Sequence, residues 1–208
     1  TMQAQIKKKD TYKMGIDTLF NLRRQLMQTL VSFKEDLCRE DFNAIPFINA
    51  DGYHSKTIAY SIWHIFRIED IVAHTVITED EQVFFTGNYQ VRINSPIITT
   101  GNELVKQQIA DFSKQLNLEE LYSYIFEVRE STEKILERFS YDELKWKIPD
   151  ERKGYLKSLN VVNCDEKAIW LIDYWCNKDI CGLIQMPFSR HWIMHTEACL
   201  RIKNKMHS

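Results

Sequence analysis

Two histidines, His191 and His195, lie four residues apart in the segment PFSRHWIMHTEACLRIKNKM, residues 187–206. In an α-helix that spacing stacks both side chains on one face with Cβ atoms about 6 Å apart, and two imidazoles so placed can grip one metal ion. At roughly 100° per residue the pair shares its stripe with Phe188, Ala198, Cys199, Ile202 and Met206, while Glu197, Arg201, Lys203 and Asn204 fall on other faces. The histidines therefore point inward. An inward imidazole must be hydrogen-bonded or ligated, because a buried polar group without a partner costs roughly 1–3 kcal/mol. Taken alone, the pair fits two hydrogen-bonded core histidines as well as it fits a metal site. A third inward histidine favours the metal.

The run TIAYSIWHIFRIEDIVAHTVI, residues 57–77, carries two more. On the helical wheel His64 lies between Tyr60, Ile68, Ile71 and Thr75, with no charged neighbour on its stripe. His74 falls with Trp63, Arg67 and Asp70 on the face expected to meet water, as a surface residue or as the partner of Asp70. Ten residues of helix separate the two by about 15 Å, so they cannot share an ion. His54 sits in a loop and is expected to be exposed. The predicted metal ligands are therefore His64, His191 and His195.

Three inward histidines from two helices, with no fourth obvious protein ligand, describe a mononuclear site with an open coordination position. Imidazole suits zinc, iron, nickel or copper and does not choose among them; the expected cofactor is one divalent transition metal ion, with zinc, nickel and iron the main candidates. A zincin needs Glu directly after the first histidine of the pair, and Trp192 stands there. A ferritin-like centre needs two Glu-x-x-His repeats, and the chain has none.

Four amphipathic stretches are available to position these residues. Leu19, Leu22, Leu26, Leu30, Phe33 and Leu37 repeat every three or four positions, with Arg23, Arg24, Lys34 and Asp36 between them, predicting a helix over 15–38. The run 57–77 is apolar almost all round and is expected to be buried on more than one side. Asn117 with Glu120 opens a third long helix that ends near Phe139, and Pro187 is expected to open the last. Between them, 78–101 lacks a helical period and is read as irregular, with an extended run at Tyr89–Ile93. Thr100 and Glu103 form a capping box for a short helix reaching Gln115. Ser140 with Glu143 caps a single turn, Pro149 and Gly154 break the chain until Asp165, and 166–176 is helical. The expected fold is all-α: a four-helix bundle in a single domain over 1–208, with a disordered lead at 1–12 and a lid or interface insertion at 140–186.

Composition narrows the function. Lys and Arg number 27 against 29 acidic residues, so the chain lacks the positive surplus that phosphate-backbone binding relies on, and nucleic acid is not an expected partner. No apolar run approaches the ~20 residues of a membrane span. Five scattered cysteines, without a CxxC pair, read as reduced thiols of a cytoplasmic protein. Cys199, one turn beyond His195, is read as pocket wall. Trp170, Tyr174 and Trp175 are a roof for the pocket or simply packing, and Arg190 is an anion-binding side chain or simply exposed.

A histidine in the setting SIWHIFRIED on the second long helix, followed near the C-terminus by HxxxH on the last, resembles the DinB-like four-helix-bundle superfamily, which includes bacillithiol- and mycothiol-dependent S-transferase-like proteins and a mycothiol-dependent isomerase. The resemblance implies a long crossover between the second and third bundle helices, His64, His191 and His195 as metal ligands, and a homodimer. It also implies a low-molecular-weight thiol cosubstrate, with S-transfer to a small electrophile, or hydrolysis, as the reaction; the alternative is a non-catalytic metal- or ligand-binding protein of stress response. Many members carry Arg-Gly-Gln after the second histidine of the pair, whereas Thr196, Glu197 and Ala198 follow it here.

Overall fold

A computed structural model describes residues 1–207. In chain order the helices are α1 (Met2–Ile6), α2 (Tyr12–Asp36), α3 (Arg39–Asn43), α4 (Ile58–Asp70), α5 (Val83–Thr86) and α6 (Tyr89–Ile93). They continue with α7 (Gln107–Gln115), α8 (Leu118–Glu137), α9 (Glu151–Ser158), α10 (Glu166–Cys176), α11 (Ile180–Gln185) and α12 (Arg190–Met206). A π-helical segment, Ile71–Thr78, prolongs α4, and a single 3₁₀ turn occupies Glu143–Lys145. The described residues contain no strand; one isolated antiparallel bridge joins Lys147 and Asp179.

Every residue of α4 is buried, which follows from its near-continuous apolar sequence and from its position between α8 and α12, both of which pack on it. Helix α2 contacts α8 and α12 in turn. One apolar cluster joins Phe33, Ile62, Phe66, Tyr124, Ile125 and Trp192. A second lies around the π segment and the 140–186 region, with Ile71, Val72, Leu156, Leu171, Trp175 and Phe188. One charged group that the hydrophobic period places between the core positions of α2 is part of this interior. Arg23 is fully buried, its guanidinium donating to both oxygens of Glu69 at 2.9 and 2.7 Å, to the Phe188 carbonyl at 3.0 Å and to Glu133 at 3.1 Å. A buried charge persists where paired hydrogen bonds replace its water, and here α2, α4 and α8 supply them together with the segment leading into α12.

Several sequence expectations are corrected. The lead is not disordered: α1 folds back on α2, and Ile6 is buried against it, 2.6 Å from the point where a Cβ on Gly15 would sit. Tyr89–Ile93 is helical rather than extended. Thr100 and Glu103 do not cap α7, because Gly101 (φ 76°) and Lys106 (φ 48°) turn the chain through left-handed conformations before Gln107; Glu103 instead accepts from the Thr99 hydroxyl. The stretch after Pro149 forms α9 and runs through Gly154. Pro187 precedes the last helix, which begins at Arg190. Asn117 does cap α8, its side-chain oxygen accepting from the Glu120 amide at 3.3 Å.

Candidate metal centre

His64 projects from the middle of α4, and His191 and His195 project from the first two turns of α12. Because α12 packs directly on α4, the three rings meet: centroid distances are 5.1 Å for His64–His191, 4.9 Å for His64–His195 and 4.6 Å for His191–His195. All three residues are buried, and one ring nitrogen from each lies within 4.8 Å of the other two. Nitrogens that share an ion at about 2.0–2.1 Å can be no more than about 4.2 Å apart, so a small closure of the rings brings them to ligand distance.

The donor chemistry suits a metal. His64 Nδ1 lies 2.6 Å from the Thr100 carbonyl; since a carbonyl only accepts, Nδ1 carries the proton and the Nε2 lone pair is left for a ligand. Nδ1 of His191 and Nδ1 of His195 are buried with no hydrogen-bond partner, the condition under which an interior imidazole calls for something to bind. Burial lowers the pKa of His64 to about 4, with the Thr100 carbonyl opposing the shift and Lys56 adding to it. Burial likewise holds His191 and His195 well below the ordinary imidazole value, helped for each by the neighbouring rings. The rings are neutral at physiological pH, which is the form that ligates.

The aromatic surroundings fix the rings. Tyr60 stacks on His64 at 5.3 Å with planes 13° apart, and the edge of Tyr53 meets His195 at 4.8 Å. Two cavities open at the histidines. One, about 250 Å³, has Trp170, Tyr174, Trp175, Met186 and Pro187 among its walls. The other, about 210 Å³, is bounded by Gly52, Tyr53, Lys56 and Tyr60. Both include Tyr53, His64, Asn102 and His195.

The aromatic group of α10 thus lines the site, and Trp175 is also buried in the core. Cys199 is not pocket wall: it is fully buried in the first apolar cluster, lines neither cavity, and burial pushes its thiol up to about 12. Arg190 is exposed and borders a separate groove with Lys178, Gln185 and Met194. His54 is half-buried edge-on to Phe47 and stands outside the group.

His74 also stands outside, although not at the surface as expected. It is buried, with Nδ1 2.7 Å from Asp80, Nε2 2.9 Å from the Ser131 hydroxyl and Nε2 4.0 Å from Asp70. The helical wheel groups His74 with Arg67 and Asp70 correctly, but that face is dry. Asp70 accepts from the Val83 and Phe84 amides and the Tyr124 hydroxyl, and Arg67 donates to the Ile98 carbonyl. Serine, histidine and carboxylate are in line here as in a hydrolytic relay, but Ser131 lies inside α8, where backbone amides are engaged in the helix and none is free to serve an oxyanion. The cluster is a polar joint in which both ring nitrogens of His74 are partnered.

Tyr53, Lys56 and Asn102 were not singled out by the sequence. They come from loops without periodicity, and only the fold brings them to the histidines. Compared with known proteins, the chain matches no protein-family model and no curated protein.

Proposed function

We propose that the protein is a metal-dependent enzyme with one divalent transition metal ion held by His64, His191 and His195 and a coordination position open toward the two cavities. The convergence of three buried, neutral imidazoles at a cavity wall carries this reading. When bound, such an ion supplies Lewis acidity, lowering the pKa of a coordinated water or thiol. The chain's own groups do the rest: Thr100 orients His64, Tyr53 and Tyr60 hold the rings, and the walls of α10 keep water from the apolar cavity.

The same reading places the chain in the DinB-like superfamily, with α2, α4 and its π extension, α8 and α12 as the bundle helices and 79–117 as the long crossover. The packing of α4 on α8 and α12, and of α2 on both, supports that arrangement. The reaction class it implies is S-transfer from a low-molecular-weight thiol to a small electrophile, or hydrolysis, by a homodimeric cytoplasmic protein. Among the described residues no helix is long and apolar enough to cross a membrane.

One observation favours a second reading. Among the described residues no carboxylate lines either cavity, so these walls offer no carboxylate as general base, as expected of a non-catalytic metal- or ligand-binding protein of stress response. Elemental analysis of the purified protein, followed by a thiol-conjugation screen with model electrophiles on the metal-loaded form, separates the two. Turnover that disappears in His195→Ala supports the enzyme. Stoichiometric metal without turnover toward thiol or water supports the binding protein.

A further inference from the structure

The two cavities meet at the histidines but differ in character. One is walled by Trp170, Tyr174, Trp175, Met186 and Pro187. The other presents Lys56, among the described residues the one Lys, Arg, Asp or Glu lining either. Lys56 is half-buried and makes no ion pair or hydrogen bond among the described residues. Its ammonium lies 5.7 Å from the centre of the Tyr60 ring, which in turn stacks on His64. Asn102 borders both cavities, and its side-chain oxygen is buried without a partner. Glu103, next to it, accepts from the Thr99 hydroxyl with one oxygen, while its other oxygen is buried without a partner; among the described residues it lines neither cavity.

Three neutral imidazoles leave a divalent ion with its full charge, and Lys56 adds another positive group on the same side; among the described residues no carboxylate lines either cavity, and Glu103 acts on Tyr60 from behind the wall. Concentrated positive charge in a partly dry site attracts a negative ligand. An aromatic-walled cavity, by contrast, recognises apolar surface.

We propose that the two cavities form one binding site for a small organic acid with an aromatic or apolar body. Its carboxylate is held between Lys56, Asn102 and the histidine centre, and its body lies against Trp170, Tyr174 and Trp175. This deepens the proposed metal function and rests on it for the histidine end alone. Lys56 and Asn102 are then the residues that select for charge, since the Asn102 amide can turn its NH₂ toward a carboxylate, and the α10 aromatics select for shape. Cavities of about 250 and 210 Å³ accommodate one ring and a short acid arm.

The test uses the full chain loaded with cobalt(II), with the metal content measured first, and titrates phenylacetate, acetate and phenethylamine while the visible cobalt spectrum is recorded. Phenylacetate is expected to change the spectrum saturably, acetate to require about ten-fold more, and phenethylamine to give no change. Lys56→Met is expected to raise the phenylacetate midpoint about ten-fold or more, with Lys56→Arg restoring it. Circular dichroism checks the fold, and Lys56→Gln replaces any variant that does not fold. Equal binding of acid and amine, or a midpoint unchanged in Lys56→Met and Lys56→Gln, overturns the proposal while leaving the metal reading intact. A parallel titration of metal-free protein, followed by tryptophan fluorescence, keeps the two readings apart. If cobalt does not bind but phenylacetate still quenches in a Lys56-dependent way, the metal function fails and the acid site stands; no quenching in a protein that also refuses cobalt overturns both.

Discussion

The indole nitrogen of Trp192 donates to Glu69 at 2.7 Å, and both residues are completely buried. Trp192 immediately follows His191, and Glu69 lies five residues after His64, so this bond ties the two histidine-bearing helices together beside the cluster. Arg23, fully enclosed and 4.3 Å from the Trp192 ring centre, completes the lock from α2.

Removing Glu69 should therefore be severe. In Glu69→Ala the Arg23 guanidinium loses its bidentate partner while remaining buried, and breaking such a pair from one side costs about 3–5 kcal/mol. Denaturant unfolding of Glu69→Ala beside Arg23→Met checks this. The Arg23→Met change also leaves a buried charge, on Glu69, so both singles should be strongly destabilised, and the double variant should fall by much less than the sum of the two. Full additivity would show that the pair is not coupled.

His74→Ala should leave metal content unchanged, since both ring nitrogens are engaged away from the three-histidine group. Stability should nevertheless fall modestly, by about 1 kcal/mol, because the buried His74 ring is removed and the half-buried Ser131 hydroxyl loses its partner, while the exposed Asp80 carboxylate turns to water. Thermal melts together with elemental analysis of the variant test both halves. Loss of metal in a folded His74→Ala protein would mean that the ligand set is wrong.

Gly101→Ala should damage the site without touching a ligand. Gly101 has φ of 76°, and a Cβ there would sit 2.8 Å from the Trp63 ring and 3.0 Å from Tyr60. The preceding carbonyl, of Thr100, is what fixes His64. A strained left-handed residue costs of order 1–3 kcal/mol, and disturbing a partner that orients a ligand typically costs about 10–100-fold in metal affinity. Competition with a chromogenic chelator measures the affinity; a value equal to wild type would show that the Thr100 contact does not matter.

Chelation should leave the protein folded. Helices α2, α4, α8 and α12 bury Phe33, Phe66, Ile125 and Trp192, a core that does not depend on an ion. Melting of the chelated protein should drop only by the binding linkage, RT ln(1 + [L]/Kd). Collapse to an unfolded chain would instead mark a structural site.

Much of this architecture was legible in the chain. The spacing of His191 and His195 and the uncharged stripe around His64 anticipated that these three side chains turn inward, as they do, because helical periodicity constrains direction as well as secondary structure. It did not show that Arg23, Arg67 and Asp70 are interior, because periodicity reads polarity and these polar groups are dry only by virtue of partners distant in sequence, such as Glu69, Ile98 and Val83. Nor could it show the short helices α6 and α9: they are too brief for a period, and the fold rather than propensity holds them. Lys56 and Asn102 reach the site through turns at Gly52 and Gly101, whose geometry sets positions that no local pattern encodes.

The central claim, that His64, His191 and His195 hold one metal ion, is tested most directly by metal stoichiometry. Purified protein is stripped, reloaded separately with zinc, nickel and iron(II), desalted and analysed by elemental analysis, alongside His64→Ala, His191→Ala and His195→Ala variants shown by circular dichroism to be folded. The account predicts one ion per wild-type chain and loss of tight binding in each of the three variants. Wild-type protein that retains none of these metals, or folded variants that retain a full equivalent, would contradict it.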